Sequence, residues 1–225
     1  MALKHSLIAL IALAAGGTAQ AHVGAAITAD LGTTGAGFHL VVPMESNLNG
    51  RFGANYFKHD FEKRSGQVDY KLDGKLATFD VLFDWYVIPH SNFRLTGGIL
   101  YNGTRFKALG TPNAGGSFSF NGTTYSSTDL GALKGEVNFR RAAPYIGIGW
   151  GNALTPNKRW NFNADIGAFH QGKGRAKLIA YGCTTSLAFC NKLASDVNVE
   201  ELRLQEEVSD YQIYPVLRAG ISYSF

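Results

Sequence analysis

From Ile213 to Phe225 the chain alternates. Ile213, Pro215, Leu217, Ala219, Ile221, Tyr223 and Phe225 share one face of an extended strand, and Arg218, Gly220, Ser222 and Ser224 the other, because successive strand side chains point to opposite sides. The same period recurs in Trp160, Phe162, Ala164, Ile166 and Ala168 against Asn161, Asn163, Asp165 and Gly167, and in Pro144, Ile146, Ile148 and Trp150 against Tyr145, Gly147 and Gly149. Phe79, Val81, Phe83, Trp85 and Val87 oppose Asp80, Leu82, Asp84 and Tyr86. After a turn at Pro89 to Asn92, Phe93, Leu95, Gly97, Ile99 and Tyr101 oppose Arg94, Thr96 and Gly98. Nearer the start the signal weakens: Ala25, Ile27, Ala29 and Leu31, then Phe38, Leu40 and Val42, then Phe52, Ala54 and Tyr56, with breaks at Gly32 to Gly35 and Pro43 to Asn49.

These segments predict eight strands near residues 23–31, 35–43, 50–60, 75–88, 92–107, 135–151, 160–180 and 211–225. An even count suits a bacterial barrel with both termini on the same side. The connections at 44–49, 89–92 and 152–159 are short, whereas 61–74, 108–134 and 181–210 are long; only the break at Gly32 to Gly35 departs from short periplasmic turns and long outer loops. A change of parity between Val137, Phe139 and Ile146, Ile148 implies a bulge around Arg141 to Ala143. Trp85, Trp150, Trp160, Phe93, Tyr223 and Phe225 fall at the periplasmic strand ends, and Tyr56, Tyr101 and Phe106 toward the other rim, as interfacial girdles would.

The first residues alter the picture. Lys4 and His5 precede an apolar run from Leu7 to Ala15 and the small-x-small triplet Ala19-Gln20-Ala21, so residues 1–21 read as a removed signal peptide and 22–225 as one barrel domain. No later stretch is long and apolar enough for a spanning helix. Composition is neutral between a soluble and a membrane barrel, since a spanning barrel has a polar interior and an average hydropathy like that of a soluble chain. A lipocalin-like soluble barrel would invert the facing and line its ligand cavity with aspartates and arginines, which argues against it.

With apolar faces outward, the lumen receives Asp30, His39, Arg51, Asp80, Asp84, Arg94, Asp165 and Arg218, with Arg140 as a further candidate. Buried charges persist only when paired, so a salt-bridged network is expected. It has two readings: a closed plug that holds a narrow barrel round, or a narrow gated pore whose carboxylates receive cationic solutes. Cys183 and Cys190 predict a disulfide closing a small loop in an exported protein. The segment Asp196 to Asp210 carries Glu200, Glu201, Glu206 and Glu207, and its imperfect apolar spacing allows a short helix before the last strand. The net charge of +4 comes from scattered Lys and Arg, without a nucleic-acid motif. No metal ligand set or cofactor motif is evident. His90 and Ser91 sit in a turn and His59 and His170 lack a serine partner, so enzymatic activity is not expected.

Val23-Gly24 through Gly32-Thr33-Thr34-Gly35, the Phe83-Asp84-Trp85-Tyr86 block leading to Phe93-Arg94-Leu95, the Ala143 to Gly151 strand and Tyr214-Pro215-Val216 resemble small Gram-negative outer-membrane barrels of the outer-membrane protein A superfamily, nearest the ornithine-uptake (CarO-type) channel group. The resemblance implies an all-β, eight-stranded antiparallel up-and-down transmembrane barrel and, for some members, passage of basic amino acids. A terminal aromatic pair such as Tyr223 and Phe225 resembles the family's assembly signal. The implied partners are outer-membrane lipid, the barrel-assembly machinery acting through the last strand, and small cationic solutes. The expected function is therefore a narrow outer-membrane channel for small, amino-acid-like solutes, with a closed structural or adhesive barrel as the alternative. The loop from Cys183 to Cys190 departs from the family pattern.

Overall fold

The computed structural model describes residues 24–65 and 67–225; the expected signal peptide lies outside them. In chain order the elements are β1 (Ala26–Gly32), β2 (Gly35–Glu45), β3 (Leu48–Ser65), β4 (Val68–Trp85), β5 (Phe93–Asn102), β6 (Arg105–Pro112), β7 (Ser117–Phe120), β8 (Thr123–Ser126), β9 (Ala132–Asn138), β10 (Ala142–Trp150), β11 (Trp160–His170), β12 (Arg175–Tyr181), α1 (Leu187–Ser209) and β13 (Ile213–Ser224). Strand β1 pairs antiparallel with both β2 and β13, and β13 pairs with β11, so the sheet closes on itself. With β10, β5, β4 and β3 this makes an eight-stranded antiparallel up-and-down barrel.

Above the barrel, at the end away from the chain termini, the sheet continues as an open extension. β3 and β4 run on through both parts. β6, β9 and β12 prolong β5, β10 and β11 after interruptions at 103–104, 139–141 and 171–174. Thus β4 pairs with β5 over Thr78–Trp85 and with β6 over Val68–Lys75.

The two parts have opposite polarity on one continuous pleat. In the barrel, outward residues are apolar: Phe38 is 69% exposed, Ile146 75% and Phe162 84%. Large apolar side chains bared all round a closed sheet, over a charged interior, are the pattern of a barrel standing in lipid. In the extension, outward positions carry Asp69, Lys71, Asp73 and Lys75, while Val68, Tyr70, Leu133 and Leu178 turn inward to a separate core with Phe118, Phe120, Tyr125, Leu130, Leu193 and Val197. The β7–β8 hairpin and α1 cover that core.

Helix α1 begins at Ser186, whose hydroxyl accepts from the Phe189 amide. Its docking stripe is Phe189, Leu193, Val197, Glu201 and Gln205, each four residues from the last. The first three pack on the core. The last two treat the free edge of β12: Glu201 accepts from the Leu178 amide at 2.7 Å and Gln205 from the Ala176 amide at 2.9 Å, pairing amides that an open edge leaves exposed. A Cys183–Cys190 disulfide ties the start of the helix to the end of β12.

Several expectations need correction. Residues 61–74 are not a loop but the paired ends of β3 and β4, and 108–134 contains the end of β6, the β7–β8 hairpin and the start of β9. Segment 160–180 is two strands, and the helix spans 23 residues rather than a short stretch. In each case the polarity of a soluble sheet sits above the rim of a membrane sheet. Phe106 lies beyond the 103–104 interruption and takes the inner side, edge-on to Phe139 at 6.4 Å, instead of joining the outer girdle. The parity change does lie at an interruption, 139–141. Trp85 pairs with Leu48, Trp150 with Phe93 and Trp160 with Tyr223, all at the end that carries the termini.

Candidate functional site

The barrel interior holds two charge clusters. In the first, Arg51 donates through Nη1 to Asp165 Oδ2 at 2.9 Å and through Nη2 to Asp84 Oδ1 at 3.1 Å. Arg94 donates through Nη2 to Asp165 Oδ1 at 2.7 Å and through Nη1 to the Gly151 carbonyl. The Thr96 hydroxyl donates to Asp84 Oδ1 at 2.6 Å. Two arginines and two aspartates therefore form a chain of charge-assisted hydrogen bonds, the strongest kind available inside a protein, and an ion pair from Arg94 Nε to Asp84 Oδ1 at 3.4 Å closes it into a ring.

The second cluster centres on Asp80. His39 spans two carboxylates, Nδ1 at 2.7 Å from Asp30 and Nε2 at 3.2 Å from Asp80; both ring nitrogens donate together only in the imidazolium form. Arg218 Nη2 stands 2.7 Å from Asp80 Oδ2, an ion pair too poorly aligned for a hydrogen bond. Asn55 donates to Asp80 at 2.9 Å and to Thr78 at 3.0 Å. The Arg218 guanidinium also lies 6.0 Å over the Tyr145 ring. Counting His39 as a cation, four aspartates meet four cations.

None of the eight charged residues is more than 6% exposed. The rest of the interior is filled by Leu82, Leu100, Ala143, Tyr145, Phe169 and Val216, and toward the terminal end by Ala26, Val41 and Ala153. Glycines make room for the large polar groups. A Cβ on Gly149 would stand 2.7 Å from Asp165 Oδ1 and 2.8 Å from Arg94 Cζ.

The structure brings together Asp30, His39, Arg51, Asp80, Asp84, Arg94, Asp165 and Arg218. It does not bring in Arg140, which is exposed and sits in the 139–141 interruption with its amide donating to the Gln171 carbonyl at 3.1 Å. In β9 the apolar Val137 faces inward with its partner Phe106 and Asn138 faces outward, the reverse of the facing assumed from the sequence. Sequence reasoning left out Asn55, Thr78, Thr96 and Tyr145, although each occupies a polar, inward step of the alternation. Ser91, beside His90, uses its hydroxyl to accept from the Phe93 amide at 3.1 Å. Tyr223 stacks edge-on to Trp160 at 4.9 Å and to Phe225 at 5.4 Å.

No family model and no curated protein sequence matches the chain. Among solved structures, Acinetobacter baumannii CarO2 superposes with a TM-score of 0.58 at 17% identity, covering 90% of this chain and 99% of that one. Acinetobacter baumannii CarO does so with a TM-score of 0.55 at 21% identity, covering 90% of this chain and 97% of that one. At these identities the likeness is one of fold.

Proposed function

We propose that the protein is an exported outer-membrane barrel whose membrane-spanning lumen is a closed, salt-bridged plug and whose working surface is the extramembrane end. The observation that carries this reading is that every barrel strand except β10 contributes a charged group to the two buried clusters, and β10 contributes Tyr145. An eight-stranded barrel is just wide enough to be filled by its own side chains. The outer-membrane location rests on the signal-peptide pattern of residues 1–21, the lipid-facing exterior and the terminal Tyr223 and Phe225, through which the assembly machinery would engage β13. Both termini are then periplasmic, and α1 and the sheet extension face outward.

A second reading, a narrow gated channel for small cationic, amino-acid-like solutes, is favoured by one observation. Asp30 Oδ1, Asp80 Oδ1, Arg51 Nε and the Tyr145 hydroxyl are buried without a hydrogen-bond partner among the described residues, and a functional role is one explanation for unsatisfied buried groups of this kind. Planar-bilayer recording on the refolded protein separates the two. The plug predicts a silent membrane with monovalent salt and with added ornithine or arginine. Discrete cation-preferring openings that weaken in Asp84→Asn would establish the channel.

A further inference from the structure

The three sheet interruptions at 103–104, 139–141 and 171–174 lie side by side and open a cleft of about 1370 Å³ where the barrel meets its extension. Its lining includes Lys75, Arg105, Arg140, Arg141, Lys173 and Arg175, against a single acid, Glu136. The cross-strand register sets part of this charge in one outward row, since Lys75 pairs with Arg105, Arg105 with Asn138, and Asn138 with Arg175, and paired residues share a face. Arg105 is the only one of the six with a carboxylate within ion-pair reach among the described residues, Glu136 at 3.9 Å. Lys75 instead rests over the Tyr56 ring at 5.7 Å. Immediately below the row the lipid-facing surface begins, with Tyr56 53% and Tyr101 50% exposed.

We infer that this cleft binds the phosphorylated sugar headgroup of an outer-leaflet glycolipid, with the acyl chains lying along the apolar exterior beneath it. Five cations without carboxylate partners among the described residues, placed in or beside the interruptions that border the lipid-facing belt, match an anion that is itself anchored in the bilayer. A soluble anion would gain nothing from the apolar surface below. Phosphates at headgroup depth attract each nearby Lys or Arg, and the contributions accumulate across a cluster. The inference rests on the outer-membrane reading, with the extension facing outward.

The test is native mass spectrometry of the refolded, detergent-solubilised full barrel titrated with diphosphoryl lipid A, with dephosphorylated lipid A, and with inorganic phosphate as competitor. The parent should retain the diphosphoryl form and not the dephosphorylated one. The triple variant Arg140→Ser, Arg141→Ser, Arg175→Ser should lose on the order of a hundred-fold in affinity, while Lys158→Ser, Arg159→Ser at the opposite end should bind as the parent does. Replacing the same three arginines by Lys should restore most of the binding. Equal retention by the triple variant, phosphate-independent binding, or displacement by millimolar inorganic phosphate would each overturn the assignment. If the triple variant does not refold, Arg141→Ser and Arg175→Ser taken singly should each lose about five-fold, and no loss in either overturns it. Membrane fractionation of expressing cells reports on the outer-membrane reading independently of lipid binding.

Discussion

The two halves of β4 share one strand, one pleat and one partner in β3, yet their faces are reversed. From Ala77 to Trp85 the outward residues include Phe79, Val81 and Phe83, over Asp80 and Asp84 within. From Val68 to Lys75 the outward residues are Asp69, Lys71, Asp73 and Lys75, over Val68, Tyr70 and Leu72 within. Backbone hydrogen bonding is continuous through the reversal. What changes is the medium outside: lipid solvates apolar side chains and drives charge inward, whereas water does the opposite. The reversal between Lys75 and Ala77 thus marks the membrane surface on this strand, and the basic row lies on its watery side.

Substitutions on either side of that boundary should respond differently. The largest effect is expected inside the barrel. Asp165→Leu leaves Arg51 and Arg94 facing each other without their shared acceptor, and should cost about 3–5 kcal/mol in urea unfolding of the refolded barrel. Next comes the extension core, where Leu193→Ala should cost about 2–5 kcal/mol of local stability. Its signature is selective: limited proteolysis should open residues 113–131 and 182–210 while the barrel keeps its heat-modifiable mobility on gels. On the outward face, Val81→Arg, midway between the reversal and Trp85, should cost about 2–4 kcal/mol because it puts charge near the middle of the lipid layer. Lys71→Leu, on the same face of the same strand, should stay within about 0.5 kcal/mol of the parent.

The smallest effect is a pH dependence confined to the extension. Asp196 accepts from Lys192 at 2.7 Å, Tyr125 at 2.6 Å and Asn121 at 3.2 Å, and these bonds hold its carboxyl well below the usual range. A depressed folded-state value means the stabilisation is complete above the ordinary carboxylate pKa of about 4 and is lost as pH falls toward the folded-state value. Amide exchange in α1 should accelerate over that acid window in the parent. Asp196→Asn should show no such window.

The barrel was legible in the sequence because the alternation of β4, β5, β10, β11 and β13 has its apolar half outward, and the same parity put eight charged residues in the lumen. The extension was obscured for two physical reasons. Asp69, Lys71 and Asp73 do alternate with Tyr70 and Leu72, but a strand that is charged outward resembles a polar loop when lipid is the assumed solvent. In α1 the docking stripe turns from apolar to polar halfway, at Glu201 and Gln205, because its second half caps backbone amides of β12 instead of filling a core; hydrophobic spacing alone undercounts such a helix. Arg140 was misplaced because the apolar Val137 and Phe139 read as lipid-facing, whereas Val137 belongs to the extension, where the apolar side is inward and Asn138 is outward.

The most direct test of the account is spin-label accessibility along the outward face of β4. Single cysteines in place of Asp69, Lys71, Asp73, Ala77, Phe79, Val81 and Phe83 would be labelled in the barrel reconstituted into lipid, the native cysteines being held in their disulfide. The account predicts preferential quenching by polar nickel chelate at 69, 71 and 73, preferential quenching by oxygen at 79, 81 and 83, and a single step between 73 and 79. Uniform lipid exposure of all seven positions, or uniform water exposure, would contradict it.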